Sequence, residues 1–114
     1  MNVEIRARNV PLTSELKAHA DQRLHLALSR FSNRIRAVRL TVEDVNGPKG
    51  GPDKRCHVTV KLEDGDELFV EDGSGDLRFV IDTVTDRVAR LVARSLERQR
   101  EARSPKGARL NGRR

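Results

Sequence analysis

The sequence predicts an α+β domain of order β-α-β-β-β-α, with two amphipathic helices covering one face of a four-stranded mixed sheet. Three observations lead there. Four short segments alternate apolar and polar residues, the two-residue period of half-buried strands. Two longer segments repeat apolar residues at steps of three and four, the period of helices with one buried stripe. At 114 residues, 36% of them apolar and with no Trp or Tyr, the chain can bury one modest core, which suits a thin two-layer packing.

Taken in order, Val3, Ile5 and Ala7 alternate with Glu4, Arg6 and Arg8 in the first strand. Residues 9–12 turn the chain, and Pro11 forbids a regular ladder there. Thr13 is a good N-cap, and Glu15 in the first turn suits the helix dipole. The helix that follows places Leu16, Ala20, Leu24, Ala27, Leu28 and Phe31 on one face and is expected to end near Asn33. Lys17, Arg23 and Arg30 decorate its other faces, and Leu26 falls off the apolar stripe.

A second strand is predicted over 38–45, with Val38, Leu40 and Val42 on one side and Arg39, Thr41 and Glu43 on the other. The run Gly47-Pro48-Lys49-Gly50-Gly51-Pro52 reads as a loop. The third strand, 54–62, points Cys56, Val58, Val60 and Leu62 inward and Arg55, His57, Thr59 and Lys61 outward. Glu63-Asp64-Gly65-Asp66 is a hairpin turn centred on Asp64-Gly65. A short fourth strand, 67–71, carries Leu68 and Val70 inward, and 72–75 turns toward a helix capped by Ser74 or Asp76. The first two strands should be parallel through a right-handed crossover, and the last three should form an antiparallel meander. The uncovered sheet face suits Arg6, Arg8, Arg39, Arg55, His57 and Lys61.

The long second helix, 76–103, carries the main functional signal. Ile81, Val84, Val88, Leu91, Val92 and Leu96 form its apolar stripe. Beside that stripe Arg87, Arg90, Arg94 and Arg98 recur at the same helical spacing, a cationic ridge with no acid at an interleaving position within its middle. Residues 98–114 hold seven basic residues against Glu101 alone, which leaves 1–97 with sixteen of each sign. Residues 1–97 are therefore neutral overall with segregated charge; a single domain is expected over 1–103, and 104–114 is expected to be a basic, disordered tail. Such a balance points to nucleic acid, an anionic membrane surface or an acidic partner.

Enzyme chemistry has little support. His19, His25 and His57 lack metal-ligand spacing, and the single cysteine, Cys56, sits on an inward face where a core thiol is the expected role. Asp64-Gly65-Asp66 lacks the remaining ligands of a calcium loop, and the glycines at 47, 50 and 51 are not followed by the Lys-Ser/Thr of a phosphate-binding loop. No enzyme activity, metal, cofactor or small-molecule substrate is expected. One cysteine and the absence of a hydrophobic leader or spanning run fit a cytoplasmic protein in a reducing compartment, with no membrane attachment.

The opening strand, Arg8-Asn9-Val10 leading to Thr13 and Leu16, Phe31 closing the first helix, and Asp76-Leu77 with Ile81-Asp82 opening the second form one pattern across the domain. That pattern resembles the ribosome hibernation-promoting factor family, which includes ribosome-associated inhibitor A and was once described as sigma-54 modulation proteins. The resemblance covers roughly residues 2–100. It implies a double-stranded-RNA-binding-domain-like fold and a monomeric protein on the small ribosomal subunit, in contact with 16S rRNA and neighbouring ribosomal proteins. There it would sit near the decoding centre and block mRNA and tRNA sites. Lys17, Arg23, Arg87, Arg90, Arg94 and Arg98 fall where the family has basic residues, and they are the implied RNA-binding set. Arginines at helical spacing also suit phosphate recognition by shape, with strong salt dependence.

The chain departs from the family pattern at Arg78, Phe79 and Leu26, in a basic tail where the inhibitor's is acidic, and in lacking room for a ribosome-pairing domain. Seven acids within 63–76 form an acidic edge expected to face away from RNA or meet a basic ribosomal protein. Two alternatives stand beside the ribosome reading: a protein–protein adaptor using the acidic hairpin, and a general binder of structured RNA.

Overall fold

The computed structural model describes residues 1–45 and 53–103, with side chains described as far as 100. The expected loop at 47–52 and the tail 104–114 lie outside the described residues. The elements run β1 (Asn2–Arg8), α1 (Ser14–Leu28), a 3-10 turn η1 (Ser29–Arg34), β2 (Ile35–Asp44), β3 (Lys54–Leu62), β4 (Glu67–Ser74) and α2 (Leu77–Arg103). The sheet order is β1-β2-β3-β4, with β1 parallel to β2 and the other neighbours antiparallel, as predicted.

Both helices lie over the face to which the strands turn Val38, Leu40, Val42, Cys56, Val58, Val60, Leu62 and Val70. α1 contributes Ala20, Leu24 and Leu28 to this core, and α2 contributes Val80, Ile81, Val84, Val88, Val92 and Leu96. Val80 is buried in the same core, one residue ahead of the predicted stripe. Leu16, Ala27, Phe31 and Leu91 are half-buried at the margins. Leu26 stays 70% exposed, as its position off the stripe requires.

Topology fixes how the helices run. β4 is antiparallel to β3, which is antiparallel to β2, so β4 points the same way as β1. Each helix returns over the strand before it, and the two helices are therefore parallel. The cross-helix pairs advance together, His19 with Asp82, Arg23 with Asp86 and then Arg34 of η1 with Gln99. Both C-terminal ends consequently lie at one end of the domain.

Three boundaries differ from the sequence reading. The first helix gives way to the tighter 3-10 turn η1 after Leu28. β2 starts at Ile35, ahead of the predicted 38. An irregularity between Ile35 and Ala37 lets both Ile35 and Val38 face the core, which strict alternation forbids. β4 continues to Ser74 through the expected turn, because Asp72, Gly73 and Ser74 pair with Cys56, Arg55 and Lys54. The Asp64-Gly65 hairpin forms as predicted, with Gly65 at φ +103°, a conformation that favours glycine. Of the two candidate caps for α2 it is Asp76 that bonds the helix, accepting from the Phe79 N–H at 3.2 Å, while Ser74 accepts from Asp76.

Candidate nucleic-acid interface

α2 places the ridge residues on the side of the helix nearest the free edge of β4. Arg87, Arg90 and Arg94 line an open groove there with Phe69, Val70 and Leu91. Arg90, Arg94 and Arg98 are exposed and form no ion pair among the described residues. Arg87 differs. Its guanidinium donates to Asp72 at 3.1 Å and to the Glu71 backbone carbonyl at 3.3 Å, so it also covers the edge of β4. Sequence spacing showed no acid within the ridge; the neutralising acid comes from another element.

The two first-helix members of the predicted set go elsewhere. Arg23 faces α2, with Nη2 2.6 Å from Asp86 and Nε 3.3 Å from Asp82, so its charge is matched within the fold. Lys17 is exposed and lies beside β1, lining a recess with Val3, Ile5, Ser14 and Asp21. The structure therefore gathers Arg87, Arg90, Arg94 and Arg98 on one flank and leaves Lys17 on the other, across a sheet ~14 Å wide at ~4.8 Å per strand step.

Between the helices sits a polar clamp. His19 Nε2 is 2.7 Å from Asp82 Oδ1, and His19 Nδ1 is 3.3 Å from an Arg78 guanidinium nitrogen. Arginine can only donate, so the network assigns Nδ1 as acceptor and Nε2–H as the donor to Asp82. Arg78, one of the departures from the family pattern, thus has a structural task at the helix–helix seam.

The acidic segment reads differently in three dimensions. Glu63 pairs with Arg36, Glu67 with Lys61, Glu71 with Arg55 and Asp72 with Arg87. Asp66 accepts from Gln99, Asp64 closes its own turn and Asp76 caps α2. Each of the seven acids has a hydrogen-bond or ion-pair partner inside the domain, but among the described residues only Glu63, Glu67, Glu71 and Asp72 are neutralised by a cation, so the acidic edge is compensated in part. The uncovered sheet face behaves alike. Glu4 bonds Arg6 and Arg39, whose hydrogen bonds hold its carboxyl below the usual range, and Arg8 lies 3.8 Å from Glu43. Phe69 is 56% exposed on that face, its ring 5.6 Å from that of His57.

Sequence reasoning gave Arg30 only a decorative place and passed over Arg34 and Arg100 as site residues. All three line a second recess, between η1 and the C-terminal half of α2. The visible signal was the continuation of basic residues past Arg98; the contribution of η1 required the parallel helix pairing. Part of this charge offsets the two helix C-termini, each worth about half a negative charge. Four or more guanidiniums exceed that.

Other chemistry is thin. Burial pushes the Cys56 thiol up to about 12, so it stays protonated and inert at neutral pH. Among the described residues no group of three His, Cys, Asp or Glu is placed to hold a metal ion, and no helix is long and apolar enough to cross a membrane.

No curated protein sequence matches this chain. Among solved structures it is similar to the N-terminal domain of Protein Y from Thermus thermophilus, at TM-score 0.67 and 23% identity over 83% of this chain and 99% of that one. It is also similar to a ribosomal subunit interface protein from Coxiella burnetii, at TM-score 0.69 and 15% identity over 85% of this chain and 99% of that one. These likenesses establish the fold. The sequence itself matches, over residues 3–100, the family described as Sigma 54 modulation protein / S30EA ribosomal protein, and the chain belongs to that family.

Proposed function

We propose that this protein binds the small ribosomal subunit near the decoding centre, lays the arginine ridge of α2 on 16S rRNA phosphates, and thereby blocks the mRNA and tRNA sites of idle ribosomes. Membership of a family described by ribosomal proteins supports a ribosomal partner. The observation that carries the RNA contact is the run of exposed Arg90, Arg94 and Arg98 along one flank of α2, none with a carboxylate partner among the described residues. Exposed guanidiniums without carboxylate partners bind phosphate bidentately and need not first break an internal ion pair. Lys17 would reach RNA only on the opposite flank, and Arg23 only by giving up Asp82 and Asp86. A role as an adaptor through the acidic hairpin is favoured less, because Glu63 and Glu67 already hold Arg36 and Lys61 within the domain.

Co-sedimentation with vacant ribosomes and isolated subunits, at low and moderate salt, tests this. The expected result is stoichiometric retention on the small subunit, weakening steeply with salt and lost on charge reversal of Arg90, Arg94 and Arg98. Absence from every ribosomal fraction at low salt would sink the reading. Equal affinity for free duplex RNA and for subunits would favour a general structured-RNA binder.

A further inference from the structure

α2 has a second cationic flank. On the side away from Phe69 and Val70, a recess is lined by Arg30, Phe31, Arg34, Arg94, Glu97 and Arg100. The 3-10 turn η1 builds its near wall, carrying Arg30 and Arg34 toward the C-terminal half of α2. Two of these guanidiniums are held in place. That of Arg34 donates to Gln99 at 3.2 Å, and that of Arg30 lies 4.7 Å from the centroid of the Phe31 ring. Neither contact neutralises charge, since an amide and an arene are its partners. Arg30, Arg34, Arg94 and Arg100 form no ion pair among the described residues, and Glu97 is the single carboxylate in the lining. The recess therefore carries a surplus of three positive charges on partly preordered donors.

Arg94 lines this recess and also the groove beside β4. Two cationic tracks thus flank one helix and meet at one residue. An α-helix with its side chains is ~10–12 Å across, so the tracks are about one helix diameter apart.

We infer that the η1–α2 recess holds the phosphate backbone of a second RNA strand, so that α2 lies between the two backbones of a duplex or hairpin stem, with Arg94 shared between them. This rests on the RNA-binding reading above and specifies the form of RNA it takes. Duplex RNA is read by shape through phosphates and 2′-hydroxyls, a task that two fixed rows of guanidiniums suit. An acidic peptide would satisfy the charge of the recess but leaves the matching track on the other flank without a role.

The test is fluorescence anisotropy of the full chain with a labelled RNA hairpin and with a labelled single strand of equal length, titrated across salt. Arg30→Ala with Arg100→Ala removes two exposed side chains that make no ion pair, and an unchanged thermal melt confirms that the fold survives. The double variant is expected to lose hairpin affinity about tenfold, with a salt slope shallower by roughly one to two, while single-strand affinity changes little. Glu97→Gln should tighten hairpin binding two- to threefold. Unchanged hairpin affinity and slope in the double variant would overturn the inference, as would equal losses on hairpin and single strand. Loss of binding to polyglutamate with hairpin affinity intact would assign the recess to an acidic protein segment instead. Arg90→Glu with Arg98→Glu, on the other flank, separates the two levels. If that pair abolishes RNA binding while Arg30 and Arg100 prove silent, only the second strand is wrong. If neither pair affects RNA, the RNA reading itself fails.

Discussion

Where α1 and α2 begin, the facing polar groups engage one another: Arg23 pairs with Asp82 and Asp86 across the seam, and His19 donates to Asp82 while accepting from Arg78. Where the same helices finish, Arg30, Arg90, Arg94, Arg98 and Arg100 have no carboxylate within ion-pair reach among the described residues. The two ends are built from the same residue type and belong to one helix layer. What separates them is compensation. At the seam Arg23 sits between two partly exposed carboxylates, pairs worth about 1 kcal/mol or less that nonetheless occupy its guanidinium. At the C-terminal end no carboxylate occupies the guanidiniums among the described residues, so their charge is available to a ligand. A count of arginines does not locate a binding surface; the arginines left without partners do.

The comparison can be broken most directly at its open end. Charge reversal of Arg90, Arg94 and Arg98 should reduce small-subunit binding at least about a hundredfold and flatten its salt slope by roughly three, with the melting temperature nearly unchanged. Retained binding would show that the free cations are only a solvated face. At the matched end the expected effect falls on stability. Asp82→Ala leaves His19 and Arg23 without their shared acceptor and should destabilise by about 1–2 kcal/mol in chemical denaturation, with binding within about threefold of wild type. A large binding defect without destabilisation would erase the distinction between the two ends.

The core beneath α2 offers a third measurement. The Cys56 thiol has its ordinary value near 9 in the unfolded chain and is raised to about 12 when folded. The folded state thus favours the protonated form, so its stability contribution is complete below pH 9 and is lost as pH rises toward 12. Wild type should lose up to about 1.4 kcal/mol per pH unit in that window relative to Cys56→Ala. Parallel curves for the two proteins would mean the thiol is not desolvated. The smallest effect concerns Arg87, the ridge member held by Asp72. Asp72→Asn should release it and tighten RNA binding two- to threefold, at a stability cost under about 0.5 kcal/mol. Weaker binding would show that the tether positions Arg87 for RNA.

Much of the fold was legible because periodicity is local. The alternation in β3 fixed both its ends and its faces, Lys54–Leu62, and the three- and four-residue spacing in α2 identified five of its buried residues from Ile81 to Leu96. The misreadings fell where a partner overrode local preference. Asp72-Gly73-Ser74 carries turn residues yet forms strand because β3 offers a ladder to pair with. Ile35 joins β2 only through an irregularity that no two-residue pattern announces. The candidate surface divides the same way. The ridge was visible as spacing, whereas the engagement of Arg23 and Arg87, the separation of Lys17 and the addition of Arg30 and Arg34 were not.

The sequence by itself determined the elements, their apolar faces and the row of arginines on the second helix, since each depends on the backbone geometry of one continuous stretch. Only the tertiary structure decided which charges cancel. Arg87 meets an acid 15 positions away and Arg23 one 63 positions away, at 3.1 and 2.6 Å. Coulomb compensation depends on distance through space, and the strand order and the parallel run of the two helices set that distance.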